Sequence, residues 1–82
     1  MMKNIYQQEI KSRLLQLREE LRSLSVPDNH YSLGHVLDER TCLIERNGAW
    51  LVFYSERGRM EDLHTFSSFD EARKFILMIL NS

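Results

Sequence analysis

The sequence predicts a single α+β domain with a long N-terminal helix, a three- to four-stranded antiparallel sheet and a C-terminal helix. Two observations indicate this fold class. Apolar residues recur near both ends at helical spacing, and short runs rich in β-branched and aromatic residues lie between them. Strands bracketed by helices are typical of layered α+β folds. The 82 residues correspond to one domain.

The N-terminal helix is predicted over residues 4–25. Its apolar residues are spaced alternately by four and three, which places them in one stripe on a helix. Asn4 is the predicted N-cap, with Gln7 three residues later as its partner. Pro27 is predicted to end the helix, because the residue before a proline disfavours the α conformation. The stripe consists of Tyr6, Ile10, Leu14, Leu17, Leu21 and Leu24.

Strands are predicted over residues 31–37, 41–46, 49–55 and 60–66. Asn47-Gly48 separates the second and third strands, and this dipeptide favours a type I′ turn whose twist matches a hairpin. A two-residue loop pairs Ile44 with Leu51 and Cys42 with Phe53. Directly opposed residues share a face of the sheet, so these four side chains form one all-apolar face.

The opposite face of this hairpin is mixed and carries the only tryptophan. If both helices cover the all-apolar face, Trp50 and Tyr54 face outward as candidate binding anchors, since both residue types are enriched at interface hot spots. If the N-terminal helix covers the mixed face, Trp50 is a core residue. The sequence leaves both arrangements open. The mixed face consists of Thr41, Leu43, Glu45, Trp50, Val52 and Tyr54.

The last element is a helix predicted over residues 69–80. Ser68 and Glu71 have the spacing of a capping box, in which the hydroxyl accepts one free backbone N–H and the carboxylate accepts another. Apolar side chains then recur at helical spacing and predict a buried face. This face consists of Phe69, Ala72, Phe75, Ile76, Ile79 and Leu80.

Composition argues against several partners and locations. The chain has 11 Lys and Arg against 12 Asp and Glu, interleaved along its length, for a net charge of −1. Binding to nucleic acid or to an anionic membrane needs a basic surface, so neither is predicted. The N-terminus lacks an apolar signal-peptide core, and the longest apolar run has six residues against the ~20 that span a bilayer. A single cysteine makes no internal disulfide, and a cytoplasmic location is predicted.

The sequence predicts no enzyme and no cofactor. The three histidines and Cys42 lack metal-ligand spacing. Cys42 lies on the all-apolar face, where a cysteine is an unreactive small hydrophobe. Adjacent carboxylates on a strand point to opposite faces and do not form an acid–base pair. Catalysis would require a cleft in which His35 or His64 meets a carboxylate and a nucleophile.

Several short motifs resemble those of small bacterial immunity proteins, which are encoded beside polymorphic secreted toxins, including those of contact-dependent growth inhibition systems. The resemblance covers roughly residues 26–80. The motifs are Tyr31-Ser32-Leu33-Gly34, then Glu39-Arg40, then Trp50-x-Val52-Phe53-Tyr54-Ser55-Glu56-Arg57-Gly58, then Leu63 and Phe66, then Glu71-Ala72 at the start of the last helix.

The resemblance implies a cytoplasmic protein that binds the C-terminal domain of a cognate toxin and blocks its active site or substrate surface. Such toxins are often nucleases, and an RNase is slightly favoured. A nuclease has a positive cleft, so its inhibitor should present carboxylates and bind faster through electrostatic steering. The candidate carboxylates are Asp38, Glu39, Glu45, Glu56, Glu61 and Asp62.

The predicted contact surface is the hairpin of residues 41–55 with the tip that follows it. Trp50 and Tyr54 are its anchors, and Arg57 joins the carboxylates as the polar rim. The protein is expected to be a monomer. The alternative is a self-associating regulatory or adaptor module, which would dimerise through the stripe of Ile10, Leu14, Leu17 and Leu21.

Overall fold

The computed structural model describes residues 5–82. Helix α1 spans Ile5–Ser23, a single 3-10 turn spans Asp28–His30, and helix α2 spans Phe69–Leu80. The strands are β1 Tyr31–Leu33, β2 Arg40–Arg46, β3 Ala49–Glu56 and β4 Arg59–Phe66. The α+β class, the order of the elements and the bounds of the last helix agree with the sequence prediction. The predicted cap Asn4 lies outside the described residues.

The sheet is mixed, which corrects the antiparallel prediction. Its strand order is β1-β2-β3-β4, with β1 parallel to β2 and the other pairs antiparallel. The first strand ends at Leu33 rather than at residue 37, because Gly34 turns the chain at a φ of +97°. Residues 34–39 then lead the chain back to the end of the sheet where β1 began, so that β2 runs parallel to β1. This short connection is sufficient because it has to span only the length of a three-residue strand.

The end of α1 also differs from the prediction. Ser25 adopts a left-handed φ of +62°, and its N–H donates to the carbonyl of Arg22. The N–H of Val26 donates to the carbonyl of Leu21 at 3.0 Å. These two bonds form a Schellman motif, which satisfies the free carbonyls at the end of a helix. The helix therefore ends at Ser23, before Pro27 takes effect.

The β2–β3 hairpin has the predicted register. Ile44 pairs with Leu51 and Cys42 with Phe53 around the Asn47-Gly48 turn. Strand β4, at the opposite edge from β1, contains a bulge: Val52 pairs with His64 and Tyr54 with Glu61, so two residues of β4 oppose Phe53 alone. Asp62 takes up the extra length at a φ of +53°.

Both helices pack on the mixed face of the sheet. The main core joins Leu17 and Leu21 of α1 to Ala72 and Ile76 of α2, over Leu43, Trp50 and Val52 of the strands. The all-apolar face carries a second, smaller cluster of Cys42, Ile44 and Phe53, with Leu51 packed against it. The 34–39 segment crosses this second face, where the Cys42 thiol lies 3.5 Å from the Leu37 carbonyl oxygen. Burial of apolar area on the helix side supplies most of the stability.

The predicted stripe of α1 is only partly confirmed. Leu17 and Leu21 are buried, and Ile10 and Leu14 pack against the same core. Tyr6 and Leu24, at the two ends of the stripe, are exposed. Ser68 caps α2 as predicted, accepting from the Glu71 N–H at 3.2 Å. The Glu71 carboxylate accepts from the hydroxyls of Ser67 and Ser68, whereas the prediction gave it a backbone N–H.

Candidate partner-binding site

Most of the sequence-predicted site residues lie together at one end of the sheet, where β2 begins, β3 ends and β4 begins. The strand register places Arg40 opposite Ser55, and Ser55 opposite Met60. The Glu39 N–H donates to the Ser55 carbonyl at 2.6 Å, which fixes the preceding loop against β3. We call this region the acidic end; its carboxylates are Asp38, Glu39, Glu56, Glu61 and Asp62.

The carboxylates of the acidic end are mostly without partners. Among these carboxylates and within residues 5–82, only Glu61 has a cation within 4 Å, with its oxygen 3.8 Å from the Arg59 Nε. Arg40 directs its guanidinium to the carbonyls of Asp28 and Tyr31, at 3.5 Å each. The same region contains Arg40, Arg57 and Arg59. Five carboxylates against three arginines leave the acidic end with a formal charge of −2.

Three residues of the acidic end have left-handed backbone conformations. These are Glu39 at φ +59°, Arg57 at +52° and Asp62 at +53°. Non-glycine residues pay about 1–2 kcal/mol for this conformation, and such outliers concentrate at functional sites. Asp62 forms the bulge, and Arg57 with Gly58 forms the two-residue turn between β3 and β4. The strained backbone aims three charged side chains outward from one end of the molecule.

Trp50 and Tyr54 lie on the same face of β3 but differ in accessibility. Trp50 is 5% exposed and packs edge-to-face on Phe69, with ring centroids 5.0 Å apart. The outward-facing arrangement of Trp50 is thus wrong, because the helices cover its face and make it a core residue. Tyr54 lies beyond the end of that cover and is 38% exposed. Of the two predicted anchors, Tyr54 is therefore the accessible one.

Glu45 lies at the opposite end of the sheet from the acidic end. Its carboxylate accepts from the Tyr6 hydroxyl at 3.0 Å and from the Gly48 N–H at 2.8 Å. The bond to Glu45 raises the pKa of Tyr6 above its usual value, since it stabilises the protonated phenol. Glu45 therefore closes the hairpin and anchors α1. It borders a concavity of about 470 Å³ that also includes Ile10, Gly34 and His35.

A groove opens beside the acidic end, between the sheet and the C-terminal half of α2. Its volume is about 380 Å³. His64 stacks against Phe75 in its wall, with ring centroids 4.4 Å apart, and the His64 Nδ1 lies 2.9 Å from the Asp62 carbonyl oxygen. Sequence reasoning missed this groove, because it depends on the β4 bulge. Its polar and apolar walls include Thr41, Tyr54, Asp62, His64, Phe75 and Ile79.

Exposed apolar side chains border the acidic end on the second face of the sheet. They come from the returning loop and from the edge strand, and each is at least one-third exposed. Protein interfaces commonly have an apolar centre surrounded by polar and charged side chains, and carboxylates beside exposed apolar side chains match this arrangement. These side chains are Val36, Leu37, Met60 and Leu63.

The reactive groups do not form a nucleophilic site. Cys42 is fully buried, and burial raises the pKa of its thiol, which lowers the fraction present as reactive thiolate. No group of three or more His, Cys, Asp or Glu side chains within residues 5–82 could hold a metal ion. In the same part of the chain, no helix has the length and apolar character to cross a membrane.

No protein-family model matches the chain, and no curated protein or solved structure is significantly similar to it.

Proposed function

We propose that this protein is an immunity protein of the bacterial cytoplasm, which binds the C-terminal domain of a cognate secreted toxin through its acidic end. It blocks the toxin's active site or substrate surface and performs no catalysis itself. The observation that carries the proposal is the set of carboxylates at one end of the sheet, beside Tyr54, of which Glu61 alone has an ion-pair partner within residues 5–82. The sequence resemblance to immunity proteins supplies the biological context.

The location of these charges supports a nuclease, with RNase slightly favoured, as the toxin. A nuclease cleft is positive because it binds phosphates, and an acidic inhibitor gains association rate from long-range attraction. The net charge of the whole chain is −1, which by itself gives little steering toward a positive cleft. At the acidic end, five carboxylates outnumber the three arginines Arg40, Arg57 and Arg59, so the local charge is more negative than the average.

A self-associating module is less well supported. Its seam would be the stripe of Ile10, Leu14, Leu17 and Leu21, and these side chains pack into the core of a single chain. Exposing them for a dimer would remove the cover over Trp50 and Val52. The stripe is thus unavailable while the fold is intact.

A catalytic role for His64 is also less well supported. A general base must hydrogen-bond to the nucleophile that it activates. In residues 5–82, the hydrogen bond of His64 is to the backbone carbonyl of Asp62, and neither Thr41 nor Tyr54 bonds to the imidazole. The hydrogen bonding of His64 therefore supports a binding role for the groove rather than a role in proton transfer.

Co-purification with the toxin domain encoded beside it, followed by calorimetry, tests the proposal. We expect Tyr54→Ala and Glu56→Lys each to weaken binding by more than about 1 kcal/mol. Glu9→Lys is the matched control for charge and Leu15→Ala for apolar area, since both residues are exposed on α1. Wild-type affinity in both Tyr54→Ala and Glu56→Lys would exclude the acidic end. A wild-type chain that neither binds nor neutralises the toxin would reject the function.

A further inference from the structure

The groove beside the acidic end combines aromatic surface with hydrogen-bond acceptors. Tyr54 and His64 supply rings from the strands and Phe75 supplies one from α2. Asp62 supplies a carboxylate that has no ion-pair or hydrogen-bond partner in the described chain. Among the described residues, no Lys or Arg lines this groove.

The hydrogen bond of His64 determines which of its nitrogens can accept. A backbone carbonyl oxygen only accepts, so the Nδ1 that lies 2.9 Å from the Asp62 oxygen carries the proton and donates. The neutral ring then has Nε2 as an acceptor. The hydroxyls of Thr41 and Tyr54 add two further acceptors. The groove is thus rich in acceptors, which suits a ligand group that only donates.

The local field favours a cation. Ile79 lies in the last turn of α2, and that turn has no basic residue to offset the partial negative charge of the helix C-terminus. The carboxylates of Glu56 and Glu61 lie on the adjoining strands. A positive group in the groove would meet two sources of negative potential: the carboxylates of the acidic end, of which Asp62 lines the groove, and the C-terminus of α2.

We propose that this groove is the receptor for an arginine side chain of the toxin, a refinement that rests on the proposed function. A guanidinium is flat, stacks on aromatic rings and has five N–H donors, so it satisfies the acceptors and the rings together. Lysine offers a compact, strongly hydrated charge that stacks poorly. The partner therefore presents a basic segment with one arginine inserted between α2 and the strand edge, while the acidic end contacts the cations around it.

A small probe tests the groove without the toxin. The ¹⁵N-labelled protein is titrated with N-acetyl-arginine methylamide and, in parallel, with the neutral citrulline analogue, which has nearly the same shape. We expect saturable amide shifts for the arginine probe that centre on Tyr54, Asp62, His64 and Phe75, and no saturable shifts for citrulline. Equal binding of the two probes, or shifts centred elsewhere, would overturn the inference.

Two variants define the contributions of charge and ring. Asp62→Asn keeps a residue that tolerates the left-handed conformation and removes only the charge, so we expect at least about threefold weaker arginine binding. Tyr54→Leu removes an exposed ring and is expected to weaken binding about twofold or more. Glu9→Gln, the same charge change on α1, should leave the affinity unchanged. Unchanged affinity in a folded Asp62→Asn or Tyr54→Leu protein would show that the groove does not recognise arginine.

The outcome separates the two proposals. If the arginine probe binds the groove but the toxin domain does not bind the protein, the proposed function fails and the guanidinium site remains. If the toxin domain binds wild-type and Asp62→Asn equally well, the inhibitor stands and the arginine site fails.

Discussion

Arg73 on α2 forms a two-point ion pair with Glu20 on α1, and this pair joins the two helices across 53 positions of the chain. The Arg73 Nε donates to one Glu20 oxygen at 2.8 Å, and the Arg73 Nη2 donates to the other. Both side chains are about one-third exposed. Parallel bonds between a guanidinium and a carboxylate fix orientation as well as distance. The pair therefore aligns the two helices over the core.

Glu20→Gln should destabilise the fold by about 1 kcal/mol at pH 7, a value discounted for exposure to solvent. Arg73 lowers the pKa of Glu20 below its unfolded-state value. The contribution is therefore fully present above the unfolded-state pKa, near ~4.3, and is lost as the pH falls through the folded-state pKa. The difference in unfolding free energy between wild type and Glu20→Gln, measured with urea, should narrow as the pH is lowered below ~4.3. Lys74→Gln, which breaks an exposed pair within α2, should cost less than about 0.5 kcal/mol. A difference that stays the same as the pH is lowered would assign the effect to packing.

Trp50→Ala should destabilise the fold by about 3–5 kcal/mol, because it leaves a cavity against Phe69 and the α1 side chains. Tyr54 lies four residues further along β3 on the same face. Tyr54→Ala should destabilise the fold by less than about 1 kcal/mol, because the ring is partly exposed. Chemical denaturation of both proteins measures the difference. Similar losses in the two variants would contradict the burial of Trp50 and the exposure of Tyr54.

Arg57→Asn should stabilise the free protein by about 0.5–1 kcal/mol, since Asn tolerates a left-handed conformation better than Arg does. The chain contains its own reference: the β2–β3 turn uses Asn47-Gly48 where the β3–β4 turn uses Arg57-Gly58. The same substitution should strengthen toxin binding, because it removes a positive charge from a surface that faces a basic partner. Thermal unfolding and calorimetry measure the two effects. Lower stability would contradict the conformational cost at Arg57, and weaker binding would show that Arg57 contacts an acidic group of the toxin.

Gly34→Ala should be more destabilising than Gly48→Ala, although both glycines have positive φ. A Cβ on Gly34 would lie 3.2 Å from the Leu14 Cδ1, whereas a Cβ on Gly48 would meet no atom within 4 Å. Both variants carry the conformational cost of about 1 kcal/mol, so the difference between them isolates the contact with α1. Equal losses on urea denaturation would show that Leu14 moves aside freely.

The sequence predicted the elements whose signals are local. Asn47-Gly48 determined the register of a hairpin, and Ser68 determined the start of α2, because each acts within a few residues. The parallel pairing of β1 with β2 had no such signal. It depends on how residues 34–39 cross the second face, which is determined by tertiary packing. The sequence left the burial of Trp50 open for the same reason, since periodicity shows which residues share a face but does not show which element packs on that face.

The candidate site could be predicted in part. Five of the six candidate carboxylates lie at one end of the sheet, and Glu45 lies at the other. The prediction grouped all six because it was based on charge, and charge alone does not show at which end of a strand a residue lies. The groove could not have been predicted, since the bulge at Asp62 has no glycine that would indicate a left-handed backbone conformation in the sequence. A carboxylate that bends a strand looks the same in the sequence as one that is merely solvated.

The bulge at Asp62 also determines what the edge of the sheet can do in a crowded cell. An open edge strand is a template on which another chain can add hydrogen bonds, and β4 has eight residues. The kink breaks the run of evenly spaced donors and acceptors, and the charged side chains of Arg59 and Glu61 keep the edge solvated. The distortion that shapes the groove thus also disfavours strand addition at this edge.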